Sequence, residues 1–149
     1  MTLLIKFLEL FSPLPGNHYL HVTQEHNEIS YALEELLVNA AGVLQVELLN
    51  QEDLKNAKPF RALPRDNDSV IFQDVFHAHT NPSALLNIAY RTLANSAELI
   101  IVEKIGLLDI EKTKELLEKH EFRTPNHLDI LKDYDIIIAK KMHMWGRGL

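Results

Sequence analysis

The chain has 149 residues, 46% of them hydrophobic and 24% charged, enough for one domain with its own core. Its formal net charge is -6 and it carries no basic block, which argues against a nucleic-acid backbone as the main partner. It has no cysteine, which excludes disulfides, thiolate metal sites and cysteine nucleophiles and fits a reducing cytoplasm.

The N-terminal run Thr2 to Phe11 is apolar but interrupted by Lys6 and Glu9. It is too short to span a bilayer and no small-residue cleavage site follows, so it reads as an amphipathic helix on its own domain, with no membrane partner. Ser12-Pro13-Leu14-Pro15-Gly16 breaks it. His18 to Thr23 reads as a strand and Gln24 to Asn27 as a polar loop. Asn27 is placed to cap a helix from Glu28, with Ile29, Leu33, Leu36 and Leu37 on one face. Gly42 ends that helix, and Val43 to Leu49 is the next strand.

Gln51 to Ala57 forms at most a short helix, and Phe60 to Leu63 a short strand. Pro64 to Asp68 is a turn. Ser69 to Phe76 is a buried strand that leaves into a polar cluster, Asp74, His77 and His79. Asn81 and Pro82 then start a helix to about Leu93, as cap and first position. Asn95-Ser96 turns the chain into a second buried strand, Glu98 to Glu103. Asp109 caps a helix to about His120. Strands near His127 to Leu131 and Tyr134 to Lys141 finish the chain, and the Lys132-Asp133 link suggests an antiparallel hairpin. Strand and helix alternate, and alternation needs crossovers, which make parallel sheets. The expected architecture is α/β, an open doubly wound and mostly parallel sheet with an antiparallel terminal hairpin strand. One domain, 1–149, holds it all, with 1–16 as helix and break and 142–149 as tail.

The stretch Asp68-Ser69-Val70-Ile71-Phe72-Gln73-Asp74-Val75-Phe76-His77 resembles the fourth strand of class I S-adenosylmethionine-dependent methyltransferases, which often reads D-x-V-x-x-x-D-V-L-H-H. Asn81 to Leu86, Tyr90 to Leu93 and Glu98 to Glu103 are similar to that family's next helix and fifth strand. The resemblance implies a Rossmann-like sheet of seven strands, with S-adenosylmethionine across the ends of strands one, two and four. It implies methyl transfer to an unknown small-molecule acceptor. Glu47 stands where the family keeps an acid for the ribose hydroxyls. Thr23, Gln24, His26 and Asp74 fall in the loops that face the cofactor. Asp74 and His77 are the residues placed to orient the acceptor or take its proton.

The family's first loop is glycine-rich, D/E-x-G-x-G-x-G, because glycine lets backbone approach the cofactor closely. Here it reads His21-Val22-Thr23-Gln24-Glu25-His26-Asn27-Glu28, with no glycine. The loop is degenerate, and the side chains of Gln24 and His26 would stand in the cofactor's space. A non-catalytic binding or assembly module on the same scaffold is the alternative. Asp74, His77 and His79 also suit a divalent metal, although a hydrogen-bonded or cofactor-facing His77 is the preferred reading and no metal is assigned. In the tail, Met144, Trp145 and Leu149 are apolar. The tail is expected either to fold over the first helix or to dock on a protein partner or a second copy as a homodimer.

Overall fold

The computed structural model describes residues 2–142. Helix α1 (Thr2–Leu8) is followed by β1 (His18–Thr23), α2 (Glu28–Asn39), β2 (Val43–Leu48) and the short α3 (Gln51–Lys55). Then come β3 (Asn67–Gln73), α4 (Pro82–Thr92), β4 (Leu93–Lys104), α5 (Ile110–Lys119), β5 (Phe122–Leu128) and β6 (Tyr134–Lys141). The strands form one sheet in the order β2-β1-β3-β4-β6-β5. The first four are parallel, and β6 runs antiparallel to both β4 and β5. No helix among the described residues is long and apolar enough to cross a membrane.

Side chains alternate through the central strands, so each strand feeds two cores. Val70, Phe72, Leu99 and Ile101 pack with Leu85, Leu86 and Ala89 of α4 and Leu117 of α5. Ile71, Ile100 and Val102 pack on the other face with Phe7 of α1 and Ile29, Leu33 and Leu37 of α2. The sheet is thus covered by helices on both sides, as strands buried on both faces require.

The capping residues act as their chemistry dictates. Asn27 accepts from the N–H groups of Ile29 and Ser30, Asn81 from Ala84 and Asp109 from Lys112. Lys141 Nζ donates to the carbonyls of Tyr90 and Leu93 at 2.6 and 2.8 Å, closing the end of α4. Helix α2 ends with Ala41 in the left-handed region (φ 59). Gly42 follows because space is short there, with a Cβ falling 2.7 Å from Leu37 Cδ1 and 2.9 Å from the Asn17 carbonyl.

Four expectations need correction. Helix α1 ends at Leu8, and tighter i→i+3 bonds carry the chain on to Phe11. Phe60 to Leu63 is not a strand, so six strands stand among the described residues where the resemblance implies seven. Phe60 is drawn into the core against Phe72, and Arg61 offers its backbone to side chains instead: its N–H donates to Glu47 Oε1 and its carbonyl accepts from Gln45 Nε2. No separate turn precedes β4, which begins directly at Leu93; Ser96 takes φ 69 where the register with β3 shifts. Strand β5 starts at Phe122, whose side chain is fully buried, and tolerates Pro125 because it is an edge strand with a bulge beside Thr124.

Candidate functional site

Strands β1 and β3 are neighbours, but their following helices leave to opposite faces of the sheet. The crevice at their carboxyl ends is the topological switch point, where open α/β sheets bind ligands. A cleft of about 740 Å³ lies there. Its walls include Thr23 and Gln24 after β1, Asp74 and His77 after β3, Glu103 at the end of β4, and Tyr134 at the start of β6.

Within the loop after β1, Asn27 gathers several polar groups. Besides capping α2, Asn27 donates through Nδ2 to Thr23 Oγ1 at 3.2 Å and to the Glu25 carbonyl at 2.9 Å. Ser30 Oγ accepts from the Asn27 N–H, closing the capping box. No residue from Thr23 to Glu28 adopts a positive φ. Gln24 reaches out of the loop and donates through Nε2 to the Asp74 carbonyl at 2.7 Å. That bond spans the switch-point crevice.

His21 is fully buried, and its Nε2 lies 2.8 Å from Gln73 Oε1. Burial pushes its pKa down to about 4, against the help of that hydrogen bond. The ring is therefore neutral near pH 7, with Nε2 carrying the proton and Nδ1 without a hydrogen-bond partner. Gln73 and Tyr134 stand in the same cleft wall.

Asp74 sits in the left-handed region (φ 57) at the end of β3, pinned by its N–H to the Val102 carbonyl at 2.9 Å. Its Oδ1 is buried without a hydrogen-bond partner. Burial raises its pKa, opposed by the charge and backbone of Lys104. Glu103 is 1% exposed. Its Oε2 accepts from the His77 N–H at 3.1 Å. Burial nevertheless lifts its pKa to about 7, with the Asp74 charge adding to the rise. A carboxyl poised near neutrality beside a cleft can exchange a proton with a bound molecule.

Of the residues singled out by sequence, Thr23, Gln24, Asp74 and His77 come together in the cleft wall. Glu47 lies outside that wall, its carboxylate occupied by the Arg61 N–H and Gln45 Nε2. His26 also lies outside it, stacked on Tyr31 with ring centroids 6.2 Å apart. His79 is 4% exposed and uses both ring nitrogens, Nδ1 accepting from the Asn81 N–H and Nε2 meeting the Lys58 carbonyl. Among the described residues no group of three or more His, Asp or Glu side chains converges so as to hold a metal. The tail from His143 onward lies outside the described residues. The sequence alone does not single out Glu103 and Gln73. Each leaves a trace: Glu103 is the one acid ending the run Leu99-Ile100-Ile101-Val102, and Gln73 is an amide inside a buried strand.

No protein-family model matches the chain, and no curated protein matches it in sequence. Solved structures do match in fold. A SAM-dependent methyltransferase from Aquifex aeolicus superposes with TM-score 0.74 at 14% identity, over 93% of this chain and 89% of that one. A Haemonchus contortus phosphoethanolamine N-methyltransferase, solved with phosphomonomethylethanolamine and S-adenosylhomocysteine, gives TM-score 0.71 at 11% identity. That match covers 95% of this chain and 53% of the other, so the chain spans about half its length. The [4+2]-cyclase SpnF gives TM-score 0.68 at 11% identity, over 92% of this chain and 79% of that one. The chain therefore has the class I methyltransferase fold, with six strands among the described residues. At such identities the likeness speaks for the fold alone, and SpnF illustrates that this scaffold carries more than one chemistry.

The residues present do not fit S-adenosylmethionine in the manner of the glycine-rich loop. The crevice is crossed by the Gln24 side chain, and the amides at the start of α2 are taken by Asn27. The acid expected at the start of the loop is a buried neutral imidazole, and the acid expected for the ribose is turned to Arg61.

Proposed function

We propose that this protein is a methyltransferase-like binding module, in which an internally bonded loop replaces the S-adenosylmethionine cradle and the remaining cleft receives a small polar molecule. The observation that carries this reading is the 2.7 Å hydrogen bond from Gln24 to the Asp74 carbonyl, formed across the crevice that a cofactor would fill. Asn27 already holds Thr23 Oγ1, the Glu25 carbonyl and the first amides of α2, so a ligand bound at those groups gains little, because each new hydrogen bond replaces an existing one. The cleft beside it keeps room and polar groups: Thr23, Asp74, His77 and Glu103.

The second reading is catalysis, methyl transfer to a small acceptor. Glu103 favours it, since a buried carboxyl with a pKa near 7 is suited to take a proton from an acceptor held by Asp74 and His77. Both readings place the ligand in the same cleft, and a thermal-shift screen of small metabolites separates them. The binding module predicts stabilising hits among polar molecules, no shift with S-adenosylmethionine or S-adenosylhomocysteine, and loss of the hits in Ala78→Trp, which puts a large ring at a residue of the cleft wall. A shift with either cofactor that Ala78→Trp abolishes would sink this reading in favour of methyl transfer. Hits that survive Ala78→Trp would place the ligand elsewhere.

A further inference from the structure

The two edges of the sheet are built differently. Edge strand β5 is guarded: it carries Pro125, Arg123 and His127, a positive φ at Thr124, and a register break between Arg123 and Asn126. These are the devices that keep edge strands from pairing with other chains. Edge strand β2 has no such break, and its one charged residue, Glu47, is tied to the Arg61 N–H. Its sequence Val43-Leu44-Gln45-Val46-Glu47-Leu48 is regular, with no proline, lysine or bulge, and pairs residue for residue with β1. Val43 and Leu48 are 53% and 45% exposed. The segment Phe60 to Leu63 does not cover this edge. It is held by the side chains of Gln45 and Glu47, which share a sheet face with Leu20 and Val22, not by the β2 backbone.

The ladder settles which backbone groups are open. The Val43 N–H donates to the Asn17 carbonyl, and the Leu49 N–H to the Thr23 carbonyl. In a parallel ladder alternate residues bond to the same neighbour. The odd-numbered residues of β2 therefore face β1, and Leu44, Val46 and Leu48 direct N–H and C=O outward. Among the described residues no strand pairs with them.

We propose that β2 pairs antiparallel with β2 of a second copy, about a twofold axis through Val46, joining two sheets into one. The occupant follows from the self-complementarity of this edge. Opposed residues in an antiparallel pair point to the same face, so the axis must pass through a residue and not between two. With Val46 on the axis, the outward set matches itself: Val46 meets Val46 of the second copy, and Leu44 meets Leu48 of the second copy. Each such pair exchanges both of its N–H···O bonds and brings apolar side chains together. Glu47 meets Gln45 of the second copy, so no like charges oppose. An isologous contact of this kind closes after two copies.

The test is sedimentation equilibrium or light scattering on the full chain over a concentration series. Wild-type protein is expected to approach twice the 17.1 kDa chain mass. Val46→Pro removes an outward N–H without touching the bonds to β1, so it is expected to keep a native circular-dichroism spectrum and return to single mass. A Leu44→Lys, Leu48→Lys double variant is expected to do the same, and decides the matter should the proline variant not fold. A wild-type protein of single mass at every concentration overturns the proposal. So does a double mass that persists in the folded edge variants, which would place the contact elsewhere, the tail from His143 included.

Discussion

Gln24 and Asp74, fifty positions apart, are joined by a 2.7 Å hydrogen bond from the Gln24 side chain to the Asp74 carbonyl. It ties the loop after β1 to the loop after β3, and it helps hold Asp74 at φ 57. Replacing Gln24 by Ala removes the donor and leaves that carbonyl in a half-buried site without its partner. The expected cost is about 1 kcal/mol in urea-unfolding free energy. Unchanged stability would mean that the two loops are not tied in solution.

Glu103 makes the protein's stability depend on pH. Its folded pKa, about 7, lies above the ordinary 4.5, so the folded state favours the protonated carboxyl. The associated stability is fully present below pH 4.5 and is lost as pH rises through 7. Glu103→Gln cannot ionise. Wild type should therefore lose on the order of 3 kcal/mol relative to the variant between pH 4.5 and 8. Denaturation curves of both proteins at several pH values measure this; a pH-independent difference would contradict the buried carboxyl.

His21 acts with the opposite sign. Its folded pKa, about 4, lies below the ordinary 6.5, so its contribution is present above 6.5 and is lost as pH falls toward 4. Between pH 4.5 and 6.5 it opposes the Glu103 effect and flattens the stability curve. Nuclear magnetic resonance of the His21 ring should show a neutral imidazole down to about pH 4.5. A midpoint near 6.5 would show that water reaches the ring.

Gly42 tests the close approach of α2 to the start of β2. An alanine Cβ would meet Leu37 Cδ1 and the Asn17 carbonyl, and that carbonyl already accepts from the Val43 N–H at 2.8 Å. The carbonyl cannot withdraw without loosening the first rung of the β1–β2 ladder. Gly42→Ala should cost about 1–3 kcal/mol by the same urea measurement, as overpacking does. A neutral substitution would show that the junction yields.

Local chemistry made much of the fold legible in sequence. Asn27, Asn81-Pro82 and Asp109 mark helix starts because capping is a contact between near neighbours. The buried runs around Ile71 and Ile100 mark central strands because both faces of the sheet are covered. The errors arose where distant contacts override local signals. Phe60 leaves an extended pattern to reach Phe72, and Phe122 extends β5 past Pro125 because an edge tolerates a bulge. The site divides the same way. Asp74 and His77 announce themselves by position after a buried strand. The role of Gln24 does not, because its partner lies across the sheet, and the contact of the Glu47 carboxylate with the Arg61 N–H leaves no local trace.

The proposed binding module requires the loop from Thr23 to Asn27 to close on itself and on Asp74 instead of on a cofactor. Isothermal titration calorimetry of the wild-type chain with S-adenosylmethionine and with S-adenosylhomocysteine tests it most directly. No saturable heat up to millimolar ligand is the predicted result. Saturable, one-to-one binding of either molecule below that concentration would contradict it.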